Sequence, residues 1–438
     1  MTGAEFKKRR DRLMSMMAPG SIAIIPAAPE RRRNRDIYYP FRQDSDFYYL
    51  TGFTEPQALL VLAPEREQGQ EVIFVAERDA RKELYDGEQM GPDRAVQLLG
   101  MDDAFPYGDM DDILPGMLEG KERIYVTLGD YPDVDQRLLQ WVAQIRQRES
   151  GGAVPPGEFV ELKHLLHELR LVKSKKELKL MQKAADISAA GHLRAMTACR
   201  PGSTEAQLEA ELIYAFMSQG ARAPAYPCIV GGGRNACVLH YVDNADTLVD
   251  GDLVLIDAGC EYEHYAADIT RTFPVNGKFS GPQKALYEIV LAANKAAIEA
   301  CVVGGTFNDP HARALEVMVD GLIALGILEG ARANVIASEE HRRFVPHNTS
   351  HWLGIDVHDV GDYRLDQDWR DLTAGMVMTV EPGIYIPVEA DDVPKAFRGT
   401  GVRIEDDIHI TAAGPVNLTA AAVKEIAEIE AVMAGAGA

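Results

Sequence analysis

The sequence predicts an α/β N-terminal domain over residues 1–172 and an α+β C-terminal domain over residues 173–438. Three observations lead there. The chain has 438 residues, more than one ordinary core accommodates. Its first third alternates short apolar runs with charged helical stretches. From Asp257 onward, acidic residues and a histidine sit at the ends of apolar, strand-like runs.

In the first domain, Ile22-Ala23-Ile24-Ile25, Ala58-Leu59-Leu60-Val61-Leu62, Val72-Ile73-Phe74-Val75 and Ile124-Tyr125-Val126 read as buried strands. The segments near 79–99 and 133–148 read as helices between them, which is an α/β pattern. Ser150 to Gly157, rich in Gly and Pro, reads as a linker-like stretch. A helix begins after Ser174, where Glu177 three residues on completes a capping-box signature, and runs to Pro201-Gly202. Thr204 and Gln207 form a second such signature, followed by a Leu208, Leu212, Phe216 stripe. Further helices are expected near 282–301 and 309–325. The remaining strand pairs carry the chemistry, and the Ala-Gly-rich end after residue 433 reads as a frayed tail.

Composition narrows the classes. A net charge of −22 argues against nucleic acid, which requires a basic surface. Five cysteines, odd in number and without a C-x-x-C pair, fit a reduced cytoplasmic protein better than a disulfide framework. The charged N-terminus has no long apolar run behind it, so neither a leader nor a membrane span is expected.

Five residues stand out: Asp257, Asp268, His351, Glu381 and Glu405. Asp257 closes Leu253-Val254-Leu255-Ile256, and alone it would read as an ordinary strand-end turn. Asp268 follows after one short excursion, as a hairpin would deliver it. Glu381 ends an apolar run and precedes Pro382-Gly383, which forces a turn. Arg403 and Glu405 alternate with Val402 and Ile404 and so share a face. His351 belongs to a group with His347 and His358, beside Trp352, with His240 upstream. A carboxylate at the end of a buried strand is costly unless a cation neutralises it. Four carboxylates balance two divalent ions, and one bound hydroxide leaves the set near neutral. Oxygen ligands with one imidazole suit Mn, Co or Zn. Gly231-Gly232-Gly233 lacks the context of a phosphate cradle and reads as a plain loop, and Arg31-Arg32-Arg33 as a solvated one.

These motifs resemble aminopeptidase P, a dimetal peptidase of the pita-bread fold shared with prolidase, methionine aminopeptidase and creatinase. The resemblance rests on Gly251-Asp252-Leu253-Val254-Leu255-Ile256-Asp257-Ala258-Gly259-Cys260, on Ser350-His351-Trp352-Leu353-Gly354 and on Val402-Arg403-Ile404-Glu405-Asp406-Asp407. Tyr39 to Phe53 is similar to the N-terminal pattern of aminopeptidase P. It implies an Xaa-Pro aminopeptidase that takes peptides with an N-terminal Xaa-Pro and works as a homo-oligomer, dimer or tetramer, with no membrane or nucleic-acid partner. It implies two divalent ions, foremost Mn, with Asp257 on one, Asp268 and Glu405 bridging, and His351 and Glu381 on the other. Glu381 would also exchange protons. His358 would face the scissile peptide, and His240 and His347 would line the proline side. Arg403 would orient its neighbours. Asp36 matches an acid linked to proton relay, and Tyr385 an active-site tyrosine. The chain departs from the pattern at Asn348, where the family commonly has Gly, and at Tyr85, where relatives carry a Trp that reaches a neighbouring subunit. A prolidase restricted to dipeptides, and a non-catalytic binding protein of the same fold, are the alternatives.

Overall fold

The computed structural model describes residues 1–435 and divides into two compact units, Met1–Arg170 and Leu171–Ala438. The last three residues of the expected frayed tail lie outside the described residues.

The N-terminal unit is built on a six-stranded sheet. Its strands are β1 (Ser21–Pro26), β4 (Ala58–Leu62), β5 (Glu71–Val75), β6 (Asp103–Pro106), β7 (Arg123–Val126) and β8 (Glu158–Glu161), in the order β6-β5-β4-β1-β7-β8. The strands β2 (Arg32–Asn34) and β3 (Ile37–Tyr38) form a separate exposed hairpin. The central strand β1 runs antiparallel to β4 and parallel to β7. All its residues are buried, because both faces of the sheet are covered. Ile22 and Ile24 face one side, where Leu59, Val61 and Phe74 meet Leu114 of one helix and Trp141 and Ile145 of another.

The helices of this unit are α1 (Gly3–Met16), α2 (Ser45–Thr51), α3 (Ala80–Asp86), α4 (Gly91–Leu99), α5 (Met110–Leu118) and α6 (Pro132–Arg146), and α7 (Lys163–Leu171) ends at the unit boundary. The region expected as one helix near 79–99 is broken in two. Gly87 and Gly91 both adopt positive φ there, which ends α3 and starts α4. The Gly/Pro-rich stretch 150–157 does not separate the units. It leads into β8, which pairs with β7 at the edge of the sheet.

The C-terminal unit packs helices against several small antiparallel sheets. Helices α8 (Lys175–Ala198) and α9 (Glu205–Ser218) lie against each other, and each opens with the expected capping box, at Ser174 and at Thr204. Helices α10 (Gly281–Ala300) and α11 (Asp309–Ala324) form a second packed pair. Strands β10 (Ile229–Gly232), β11 (Leu253–Asp257) and β14 (Thr270–Pro274) make one sheet, in which β11 is central. Gly231 and Gly232, expected in a loop, belong to β10 instead, because a pairing partner at long range recruits them.

The excursion between β11 and β14 is a small hairpin of β12 (Cys260–Tyr262) and β13 (Tyr265–Ala266), and β9 (Ala223–Pro224) pairs with it. Gly259 is needed at its root, since a Cβ there would collide with the carbonyl of Ala267. Later strands β17 (Val377–Val380), β18 (Gly383–Ile386), β19 (Thr400–Arg403), β20 (Asp406–Thr411) and β21 (Gly414–Asn417) form the sheet β17-β20-β21 and the pair β18-β19. The short ribbon β15 (Arg364–Leu365) and β16 (Asp368–Trp369) precedes them.

Candidate metal centre

Register brings the acidic residues together. Asp257 ends β11 directly opposite Thr270 of β14, and Ile229 of β10 lies opposite Asp257 on the other side. Asp268 lies two residues before the start of β14. Glu381 sits in the turn between β17 and β18, and Glu405 in the turn between β19 and β20. The backbone N–H of Glu405 donates to the Thr270 carbonyl at 3.1 Å, which ties that turn to β14. His351 is held by the β17 edge: its N–H donates to Thr379 Oγ1 at 3.0 Å, and the Thr379 N–H donates back to its carbonyl at 2.9 Å.

These residues line one cavity of about 500 Å³, with Ile229, Leu239 and Val242 as an apolar bank. Ligand atoms of Asp268, His351 and Glu405 all lie within 4.8 Å of one another. His351 Nδ1 is 2.9 Å from the Trp352 carbonyl, an acceptor, so Nδ1 carries the proton. Nε2 is thereby left as a lone-pair donor facing Asp268 at 3.4 Å and Glu381 at 3.7 Å. A tautomer fixed by a carbonyl is the arrangement metal-binding imidazoles use.

One guanidinium serves the cluster. Arg403 Nη2 donates to Asp257 at 2.6 Å, Nη1 to the Tyr385 hydroxyl at 2.7 Å and Nε to Thr270 Oγ1 at 3.0 Å. The Thr270 hydroxyl in turn donates a hydrogen bond to Glu405 at 2.7 Å. The Tyr226 hydroxyl lies 2.6 Å from Asp257 and 2.5 Å from Asp268.

Positive charge is short. Burial, and then the neighbouring Asp257 charge, push the Asp268 carboxyl well above the ordinary range. Burial and Asp268 do the same to Glu405. Glu381 is pushed up to about 8 by burial first and Glu405 second, against the pull of His351 and Arg403. Buried carboxylates in such company stay protonated unless a cation replaces the protons. The donor set, oxygen-rich with one correctly poised imidazole nitrogen, fits divalent cations.

The remaining expected residues fall as follows. His240, on an exposed loop, and His347 and His358 also line the cavity. The His358 ring packs edge-on against His351 at 4.4 Å. His347 Nε2 lies 2.9 Å from the Tyr385 hydroxyl and Nδ1 2.7 Å from the Asn348 carbonyl, which gives a hydrogen-bonded line from Arg403 through Tyr385 to His347. Burial, and next Arg403, lower His347 to about 4, so its imidazole is neutral near pH 7. Asp36 belongs to the N-terminal unit, in the exposed turn between β2 and β3. Two polar residues at the centre escaped the sequence reading, Tyr226 and Thr270. Neither carries a motif, and only the β10-β11-β14 pairing brings them to Asp257.

A buried carboxylate–histidine cluster at strand ends suits a divalent-cation enzyme. The chain belongs to metallopeptidase family M24, whose pattern matches residues 179–412. The pattern of the aminopeptidase P N-terminal domain matches residues 6–125. In particular, the chain is 45% identical to the Xaa-Pro aminopeptidase of Escherichia coli (strain K12) over 433 residues, 99% of this chain and 98% of that protein. It is 34% identical to Xaa-Pro aminopeptidase 3 of Homo sapiens over 448 residues, covering 98% of this chain and 86% of that protein. Its structure is similar to that of Pseudomonas aeruginosa aminopeptidase PepP, with a TM-score of 0.99 and 53% identity over 100% of this chain and 99% of the other. The mixed α/β content and pita-bread catalytic fold expected from sequence are those of this family.

Proposed function

We propose that this protein hydrolyses the peptide bond between an N-terminal residue and a following proline, with two divalent ions, foremost manganese. The carrying observation is the convergence of Asp257, Asp268, His351, Glu381 and Glu405 on one cavity in a chain similar to Xaa-Pro aminopeptidases from end to end. All five expected ligand residues are present, which disfavours the non-catalytic alternative.

In this reading Asp257, Asp268, His351, Glu381 and Glu405 would hold the ions. When bound, the ions supply an activated water and polarise the scissile carbonyl. Glu381 would take the proton given up by the attacking water and deliver it to the proline nitrogen as the C–N bond breaks. The neutral imidazole of His358, beside His351, donates toward the carbonyl oxygen as negative charge develops there. The apolar bank of Ile229, Leu239 and Val242, with His240 and His347, encloses the proline ring. A tertiary Xaa-Pro amide has no N–H to offer, so shape rather than hydrogen bonding selects it. Arg403 fixes Asp257 and Tyr385, and Tyr385 fixes His347. Asp36 is assigned a proton-relay role on resemblance alone.

A cytoplasmic homo-oligomer completes the proposal. Among the described residues no helix is long and apolar enough to cross a membrane. Helix α3 buries none of its residues and leaves Leu84 and Tyr85 about four-fifths exposed, at 80% and 77%, which suits a contact with a second copy.

The test is cleavage of matched Xaa-Pro and Xaa-Pro-Xaa peptides by metal-stripped protein with Mn²⁺ restored, beside Glu381→Ala. Cleavage of the tripeptide, lost in the variant, is expected. Cleavage of the dipeptide alone would make the protein a prolidase. Cleavage of neither with any added ion would leave a binding protein.

A further inference from the structure

The C-terminal unit contains a second cavity, of about 560 Å³, that shares Asn348 and Ser350 with the first. One side is aromatic: Phe307, Tyr363 and Trp369. The other carries His311, Asp362 and Arg364. The aromatic side is a fixed platform. The Phe307 ring centroid lies 4.6 Å from those of both Trp352 and Tyr363, and 6.2 Å from that of Trp369. Tyr363 stacks on the fully buried Trp352, with 7° between the planes. The Arg364 guanidinium lies 4.0 Å above the Trp369 ring, so its stem and plane extend the wall. Yet Tyr363 remains 37% exposed. Two partly exposed rings, Tyr363 and Trp369, on a buried aromatic base offer faces that an aromatic guest completes by edge-on or offset contact.

The shared wall is equally informative. The Ser350 hydroxyl oxygen is shielded from water and has no hydrogen-bond partner within the protein. A buried hydroxyl left unpaired is costly. It lies between the two cavities, one residue from His351, where a peptide amide crossing from one to the other would satisfy it. Asn348, on the same wall, places a second polar side chain on that path. His311 Nδ1 is 2.9 Å from Thr349 Oγ1, and the Thr349 carbonyl accepts the Glu381 N–H at 2.8 Å. The floor of the second cavity is thus hydrogen-bonded to the segment that holds Glu381.

We propose that this second cavity is a subsite for a large aromatic side chain of the peptide substrate, with Ser350 and Asn348 holding the backbone that crosses between the cavities. The proposal rests on the Xaa-Pro reading of the first cavity. Asp362 and Arg364 bring opposite charges to the rim, so an ionic guest gains little. The aromatic side chain could come from the first residue or from the residue after proline, since both flank the bond held in the first cavity.

The experiment compares kcat/KM for Ala-Pro-Ala, Phe-Pro-Ala and Ala-Pro-Phe on the Mn²⁺-loaded protein and on Trp369→Ala and Tyr363→Ala. We expect one phenylalanine peptide to be favoured about tenfold or more over Ala-Pro-Ala, mainly through KM. Which one is favoured tells the side of the scissile bond. Both variants should erase the preference, and Trp369→Ala should do so while leaving Ala-Pro-Ala kinetics intact, which also reports that it has folded. Equal kcat/KM for all three peptides, or a preference that survives in a folded variant, would overturn the subsite alone. Failure of the native protein to cleave any of them would overturn the reading of the first cavity, and the subsite with it.

Discussion

At the residue scale the centre is defined by carboxylates that lack enough positive charge. Glu381 keeps its proton to about pH 8 in the metal-free fold, against an ordinary value of 4.5. The folded state therefore binds more protons than the unfolded chain between those values. The sign follows: stability of the metal-free protein falls as pH rises from about 4.5 to 8, by an amount on the order of a few kcal/mol. Thermal melts of metal-stripped protein should fall across this window, less steeply in Glu381→Gln, and Mn²⁺ should restore them. Cation binding must then release protons, which calorimetry in buffers of different ionisation enthalpy would read. Tyr226 supplies the second residue-scale prediction. Its hydroxyl touches both Asp257 and Asp268, so it orients two carboxylates at once. Tyr226→Phe should weaken divalent-cation binding roughly 10–100-fold, as loss of a group that orients metal ligands does. Unchanged affinity in a calorimetric titration would remove it from that role.

At the element scale, one buried carboxylate anchors the loop that carries His240. Glu205, in the first turn of α9 and wholly buried, accepts from the N–H groups of Gly232 and Asp246, from the Asn235 amide and from the Tyr241 hydroxyl, at 2.7 to 3.0 Å. Those donors bracket Leu239, His240 and Val242, the residues that border the cavity. Glu205→Ala leaves the donors dry, at a cost of roughly 1–3 kcal/mol each. It should lower the melting temperature and raise KM for Xaa-Pro-Xaa more than it lowers kcat, because the loop shapes binding rather than the attack. The capping boxes at Ser174 and Thr204 and the helix limits they set were legible in the sequence, since a cap and the residue it serves are neighbours in the chain. The broken helix near residue 87 and the strand through Gly231 were not. In each, backbone torsion or a distant partner overrode local pattern.

At the scale of the whole molecule, the two units have different sensitivities. In the N-terminal unit, burial works against the charged form of Asp46, but Arg170 at 2.6 Å and His167 at 3.4 Å outweigh it and hold the carboxyl at about 2. A depressed value stabilises the fold above the ordinary pKa of 3.8, and that contribution is lost as pH falls toward 2. It amounts to about 2 kcal/mol at neutral pH. Asp46→Asn should lower stability at pH 7 and make no difference near pH 2, as denaturant titrations at the two pH values would show. The N-terminal unit is thus weakened as pH falls toward 2 at Asp46, whereas the metal-free C-terminal unit is weakened as pH rises from about 4.5 to 8 at Glu381. The net charge of −22 is a whole-chain property that cation loading partly offsets.

The sequence by itself determined the class of each unit, the main helices and most strands of the core, and the identity of the acidic residues and histidines that now line one cavity. Those features depend on apolar period, caps and side-chain chemistry, all written locally. The tertiary structure alone decided which groups touch. The placing of Tyr226 and Thr270 against the carboxylates, the reach of Arg403 across two strands, the proton on His351 Nδ1 and the aromatic chamber beyond Ser350 all come from contacts between residues far apart in the chain. Burial is likewise a property of the assembled fold. It turns ordinary carboxylates into groups that hold protons until a cation takes their place.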